Sequence, residues 1–339
     1  MPHWYAPATD RRGCPIDPFR TEGEWLKAQF HAHSLRSDGE LEPEVMAARY
    51  RDLGFDVLTI SDHWTLTKID APDGLLLVPG AELMVDPVAG PMCPEFLAIG
   101  IDDVPESPSG DPANWYPYEH STIRTFATFE DGIAFVEGFG GATVLCHPAW
   151  SGLPELTVAA ARSMHGIELW NASAHRENDR ADSAYVWDRQ LDEGATLAPF
   201  ATDDAHYGAT DLGDAWTMVR AADRSREAVV EALRAGHVYA SNGPSILDVE
   251  RDGDAIEVRC SPARDVWLHG SWETGLAVST GERAPSEGGG EILERDDAGA
   301  IIRARFTPGP DEWPAKRDRR WWRLVVEDAV GKRAWSATV

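Results

Sequence analysis

The stretch Phe30-His31-Ala32-His33-Ser34-Leu35-Arg36-Ser37-Asp38-Gly39 decides the fold. In an extended chain, side chains at i and i+2 share a face, so His31 and His33 aim two imidazoles at one point. Parallel imidazoles at a strand end have few structural uses and suit one ion or two adjacent ions. Outward from this stretch, Asp62-His63 follows the apolar run Val57–Ile60, and Gly80-Ala81-Glu82 follows Leu75–Val78. Likewise Cys146-His147-Pro148 follows Thr143–Leu145, and Asp204-Ala205-His206 follows Leu197–Phe200. Short apolar runs bounded by turn residues read as buried strands. Each ligand-type side chain then sits at the C-terminal end of a strand, which is the layout of a barrel active site.

Strands and helices alternate around these points. The pattern predicts strands over 25–33, 56–61, 75–79, 95–101, 142–147, 166–171 and 195–201. Helices are predicted over 42–53, with Pro43 near its start and Gly54 after its end, and over 129–138, 178–193 and 225–235. Such alternation means parallel strands with crossover helices. The proline-rich segment Asp102–Tyr118, with Trp115-Tyr116, is too long for an ordinary connection and reads as a lid or binding loop. After Ser241-Asn242-Gly243-Pro244, the runs Ala255–Cys260, Ile302–Phe306 and Trp322–Val326 alternate with period 2 and predict an antiparallel β-sandwich. Gly281–Gly290 lacks the Lys-Ser/Thr of a phosphate loop and reads as a flexible connection. The expected organisation is an N-terminal extension over 1–24, a barrel over 25–244 and a β-sandwich over 245–339.

Composition removes several function classes. A net charge of −26 over 339 residues argues against a grip on a nucleic-acid backbone, which needs a positive surface. The four cysteines form no Cys-x-x-Cys pair, so neither a disulfide framework nor a zinc ribbon is expected, and Cys146 reads as a small buried core residue. No run of about 18 apolar residues is present, and residues 1–12 lack the apolar core of a signal peptide, so a cytoplasmic protein without membrane contact is expected. Gly-x-Ser-x-Gly is absent, which leaves no sign of a serine nucleophile.

Together, His31-Ala32-His33 with Asp38, Asp62-His63, Gly80-Ala81-Glu82, His147-Pro148 and Asp204-Ala205-His206 resemble the successive motifs of the PHP (polymerase and histidinol phosphatase) family. The stretch Ala232–Pro244 and the ending Glu327–Trp335 are similar to its carbaryl-hydrolase-like branch. The resemblance covers about residues 25–339, and its motifs are specific for the family but not for substrate. It implies an α/β fold, a distorted seven-stranded (β/α)7 barrel, here carrying the C-terminal antiparallel β-sandwich. It further implies two or three divalent ions (Zn, Mn or Fe): one on His31, His33, Glu82 and Asp204, a second bridged by Glu82 and bound by His147, a third on Asp38, His63 and His206. Where the family usually places another His on the second ion, this chain has Glu95. A carboxylate there would favour harder ions; the alternatives are a weak or absent second ion, or His120 as substitute.

The activity implied is hydrolysis by a hydroxide generated at neutral pH, with Asp204 orienting the water and His206 or His63 assisting as acid. A small phosphate ester is the first substrate expectation; a carboxylic or carbamate ester is the second. The third reading is a metal-stabilised binding protein whose sandwich recognises a carbohydrate or a partner. Asp62 and Asp203 would point away from the ions and serve as support. Substrate contacts are expected from Asn171, His175 and Arg176 at one strand end, and from Trp64 beside His63, with Trp150 as a further aromatic candidate. Whether the chain self-associates through its sandwich is left open.

Overall fold

The computed structural model describes residues 17–90, 92–105, 125–208, 210–272, 274–281, 289–308 and 321–339. His120, Arg124 and most of the expected lid and glycine-rich loop lie outside the described residues. Five strands form one sheet in the order β4 (Gly80–Met84), β5 (Glu95–Ile99), β6 (Ala142–Leu145), β7 (Gly166–Asn171) and β8 (Ala198–Thr202). Three others, β1 (Glu24–Gln29), β2 (Val57–Leu58) and β3 (Leu76–Leu77), pair in parallel at one end of a nine-stranded sheet. Two parallel single-residue bridges, Ala32 to Ala205 and His63 to Glu82, join the two sheets at the end where the ligand-type residues lie. Each ladder itself is open, and the fold is mixed α/β.

Glu82, expected at the C-terminal end of a strand over 75–79, instead lies inside β4, and the strand before it is only Leu76–Leu77. The strand β5 runs antiparallel to both neighbours rather than parallel. Val85 and Pro94 are themselves hydrogen-bonded, so the segment from β4 to β5 closes as a hairpin, and a parallel return would need a crossover of a dozen or more residues. The helices expected over 42–53 and 129–138 form as α1 (Pro43–Asp52) and α2 (Phe129–Gly138), followed by a short α3 (Glu155–Ala160). The helix expected over 178–193 is shortened to α5 (Ala184–Asp192), and a further helix, α4 (Ala172–Asn178), precedes it. The side chain of Asn171 caps α4 by accepting from Ala174 N, and Asp179, in the left-handed region at φ 62°, ends it.

Inside the first half of the chain, Leu26, Phe30, Val57, Val78, Leu97, Val144 and Phe200 make an apolar floor under the ligand-type residues, closed from outside by Val229 and Leu233 of α6 (Arg226–Ala235). Each such side chain contributes about 1.5–3 kcal/mol by leaving water. Gly39 shapes the loop above this floor: a Cβ there would lie 1.9 Å from the carbonyl oxygen of His33, so only glycine lets residues 34–39 fold back and bring Asp38 to His33.

The nine-stranded sheet continues from β1 through β9 (Trp216–Ala221) and β10 (Val238–Ser241) to β18 (Arg333–Thr338), β17 (Trp322–Glu327), β13 (Asp265–Gly270) and β14 (Gly275–Ser279). It therefore runs without a break past residue 244. A separate antiparallel sheet orders β11 (Ile246–Asp252), β12 (Ala255–Ala263), β16 (Ile301–Thr307) and β15 (Gly289–Arg295). Val258, Ala304 and Phe306 of this sheet share a core with Val266, Leu268, Leu324 and Val326 of the other, so the two antiparallel layers face each other. Arg323 of β17, buried, grips Asp188 of α5 with two bonds of 2.7 and 2.8 Å, and Trp335 stacks on Trp170 at 5.9 Å. Among the described residues no helix is long and apolar enough to cross a membrane.

Candidate metal centre

His31 and His33 follow β1, where the bridge to Ala205 and the bonds His33 N to Ala205 O and Asp204 N to His31 O hold the two motifs side by side. His63 is set against Glu82 by the second bridge. Three of these strand-end residues, Trp64, His147 and Asp204, have positive φ of 50°, 23° and 54°. Non-glycine residues rarely adopt that conformation, and such strain concentrates at functional sites.

The resulting cluster is dense and buried. His31 Nε2 lies 3.0 Å from both Glu82 Oε2 and Asp204 Oδ1, and His33 Nε2 lies 3.1 and 3.4 Å from the same two atoms. On the far side of Glu82, its Oε1 stands 3.4 Å from His147 Nε2, and Glu95 Oε2 stands 3.6 Å from the same nitrogen. Asp38 reaches His33 Nδ1 at 3.3 Å, His206 Nε2 at 3.2 Å and His63 Nε2 at 3.9 Å. Three sets share a common point: His31, His33 and Asp204; His33, Asp38, His63 and His206; and His31, Glu82, Cys146 and His147.

These distances suit ligands that share an ion as well as hydrogen-bonded pairs. Bond lengths of about 2.0–2.1 Å put neighbouring ligands of one ion roughly 3.0–3.4 Å apart, depending on whether the shell is octahedral or tetrahedral. The proton bookkeeping agrees. Glu168 can only accept, so the 2.6 Å contact from His31 Nδ1 fixes one imidazole proton there; Nε2, which faces two carboxylate oxygens, is then the nitrogen that can bind an ion once it gives up its own proton. Glu82 Oε1, Asp204 Oδ1 and His33 Nε2 are buried without a hydrogen-bond partner. Divalent cations would satisfy them, one between His33 and Asp204 and another between Glu82 Oε1 and His147, so the residues present fit the ions the motifs imply.

Electrostatics follows from the same crowding. Burial alone lowers the proton affinity of His31, but Asp204, Glu82 and Glu168 raise it well above the ordinary imidazole value. His147 behaves alike: burial opposes, and the Glu82 contact raises it to about 9. Burial, then the charge of Glu82, pushes Glu95 up to about 8. His63 is lowered to about 4, chiefly by burial. The negative field that holds protons on His31 and His147 is the field that would hold cations in their place.

Glu168, which the sequence reading passed over, is central. Fully buried on β7, it accepts from His31 Nδ1, from His147 N at 2.9 Å, from Asn171 Nδ2 at 3.1 Å and from Thr202 Oγ1 at 2.7 Å. Its signal was a lone carboxylate inside the apolar strand Gly166–Trp170. Asn171 is buried, its amide donating to Asp204 Oδ2 at 3.0 Å and to Glu168. Arg176 is exposed and paired with Asp214, and His175 is exposed and bonded to Asp179 at 2.8 Å. Trp64 is buried and stacked on Phe126. Asp62 binds Ser34, Ser37 and Thr67, and Asp203 binds Tyr50 and the amides of Gly213, Asp214 and Ala215. At the rim, Trp150 lies edge-on to His147 at 5.0 Å, and Glu177 ties its indole to the hydroxyl of Tyr207.

No protein-family model and no curated protein matches the chain. Its structure is similar to that of a two-domain protein from Bacteroides vulgatus containing a predicted PHP-like metal-dependent phosphoesterase: identity is 17%, coverage 94% of this chain and 96% of the other, TM-score 0.49. An amidohydrolase from Chromobacterium violaceum, with sulfate and no metal bound, is 16% identical over 55% of this chain and 89% of its own, with a TM-score of 0.42. A protein assigned as a metal-dependent phosphoesterase from Bifidobacterium adolescentis gives 16%, the same coverages of 55% and 89%, and a TM-score of 0.36.

Proposed function

We propose that the protein is a metal-dependent hydrolase whose centre is His31, His33, Asp38, His63, Glu82, Glu95, His147, Asp204 and His206, and that its first substrate class is a small phosphate ester. The observation that carries this reading is the buried group around Glu82 and Asp204, where the Nε2 atoms of His31 and His33 and the carboxylate oxygens of Glu82 and Asp204 lie 3.0–3.4 Å apart. On this reading the two bridges at Ala205 and Glu82 close the strands β1, β2, β4, β5, β6, β7 and β8 into a distorted seven-stranded barrel, with the antiparallel layers of 245–339 as its accessory sandwich.

Two or three divalent ions held there would make a nucleophile from water near neutral pH and polarise the ester oxygen. The chain's own groups do the rest. Asp204, fixed through Oδ2 by Asn171, keeps Oδ1 toward His31 and His33, where it orients the attacking water and takes its proton. His206 donates its Nδ1 proton to the Asp204 backbone oxygen at 2.8 Å, which leaves Nε2 facing Asp38 at the more open side. From there His206, held above the ordinary imidazole value against its burial by Asp38 and Asp204, serves the leaving group as acid, while His63, lowered to about 4 by burial, is uncharged near neutral pH and suits ion binding instead. The rim of Trp150, Tyr207, His175 and Arg176 is the proposed substrate side, with Trp64 packed beneath it.

A carboxylic or carbamate ester is the second reading, favoured by two observations: Arg176 is already neutralised by Asp214, and the side chain that lies edge-on to His147 is the aromatic Trp150. Metal analysis of protein purified without chelator, followed by turnover of phosphate monoesters, diesters and aryl esters, separates the two. Bound ions with no turnover of any of the three would favour a metal-stabilised binding protein.

A further inference from the structure

We propose that Cys146 is a thiolate ligand of the ion position shared by Glu82 and His147, and that this position therefore selects a thiophilic ion, zinc or iron(II), over manganese or magnesium. The proposal rests on the metal-centre reading above and adds to it a ligand that neither composition nor motif spacing pointed to.

Four observations carry it. The Sγ of Cys146 and ligand atoms of His31, Glu82 and His147 all lie within 4.8 Å of one another. Glu82 Oε1, which faces His147, is buried and has no hydrogen-bond partner, so something other than the described side chains must satisfy it. Consecutive residues of an extended strand point to opposite faces. At His147 the chain leaves that geometry, with φ at 23°, and this turn is what lets residues 146 and 147 face one point. Finally, among the described residues the hydrogen bond given for the thiol is a weak one, to Val144 O at 4.0 Å, and the residue otherwise packs among apolar core side chains.

The chemistry balances without a redox partner. On ion binding the S–H bond of Cys146 breaks, its proton passes to water, and the sulfur lone pair forms the bond to the ion. A thiolate in the shell is a soft donor, which suits zinc and iron(II) and is a poor match for magnesium or manganese. Glu95, at 3.6 Å from His147, adds a hard oxygen on the same ion or hydrogen-bonds a water there.

The test uses the full chain, stripped with a chelator and reloaded with cobalt(II). The expected result is the visible bands of cobalt bound by nitrogen and oxygen, plus a near-ultraviolet thiolate-to-cobalt charge-transfer band. In Cys146→Ser and Cys146→Ala that band should vanish while visible bands persist. Zinc affinity at that position should fall more than about 100-fold, beyond the 10–100-fold that lost partners of ligating histidines cause, and manganese affinity should stay unchanged. Visible bands without the charge-transfer band in wild type, or a band that survives in both variants, would overturn the thiolate assignment and leave the metal centre standing. Failure of wild type to bind cobalt at all would overturn both.

Discussion

Replacing Glu168 by Gln is the most revealing perturbation of this centre. The carboxylate receives four bonds, two on each oxygen: His31 Nδ1 and Thr202 Oγ1 on Oε1, His147 N and Asn171 Nδ2 on Oε2. An amide offers one accepting oxygen and one donating NH2, so it must choose. With its NH2 toward His147 and Asn171, two buried donors lose their acceptor at about 1–3 kcal/mol each, or roughly 2–6 kcal/mol together. Asn171 cannot turn to help, because its oxygen caps α4 at Ala174 and its amide holds Asp204. With its NH2 toward Thr202 and His31, the hydroxyl rotates to accept, and the imidazole must accept at Nδ1 and carry its proton on Nε2. That second arrangement costs less, so Glu168→Gln is predicted to fold. The proton then sits on the nitrogen that faces Glu82 and Asp204, where an ion needs the lone pair. Ion affinity should fall about 10–100-fold or more, the range seen when the partner of a ligating histidine is lost, or about 1.4–2.7 kcal/mol. Competition against a chromophoric chelator measures the affinity, and urea unfolding of the ion-free protein measures the stability. A folded variant with wild-type affinity would refute the reasoning.

Three other outcomes are expected. Asn171→Ala removes a helix cap, worth about 1 kcal/mol, and frees Asp204; thermal unfolding should report the first and a fall in turnover with ion content retained the second. Asp188→Ala leaves buried Arg323 without its carboxylate and should cost about 3–5 kcal/mol in urea unfolding, with no change in ion stoichiometry. In the ion-free protein His147 is raised to about 9 and Glu95 to about 8, so both hold protons at pH 7 and must release them to an ion. Loading at pH 7 in weak buffer should therefore release protons to an indicator dye, and ion affinity should rise with pH up to about 9; proton uptake on loading would count against these assignments.

What was legible in the sequence was the part set by local geometry. His31-Ala32-His33 follows a strand whose period-2 alternation aims both side chains, and the structure brings both to 3.0–3.4 Å of Glu82 and Asp204; Asp204-Ala205-His206 was visible as a motif, although Asp204, at φ 54°, leaves the extended geometry. What escaped was set by tertiary pairing. The direction of β5 depends on a hairpin between Met84 and Glu95, and no alternation pattern distinguishes parallel from antiparallel neighbours. The end of α4 turns on Asp179 entering the left-handed region, which its sequence permits but does not demand. Arg176 reads as a free anion clamp until Asp214, 38 residues on, is found beside it. Glu168 reads as an ordinary strand residue, because its importance lies in contacts with His31, His147 and Thr202, which come from elsewhere in the chain, whereas Cys146 is buried in the apolar core as its sequence suggests.

The central claim is that these motif residues form one polynuclear hydrolytic centre. Elemental analysis of protein purified without chelator, paired with a hydrolysis screen on the same sample and on His31→Ala, tests it most directly. Two or three divalent ions per chain are predicted, with ester hydrolysis that a chelator abolishes and that the folded variant lacks. One ion or none, or turnover that persists in the folded His31→Ala protein, would contradict it.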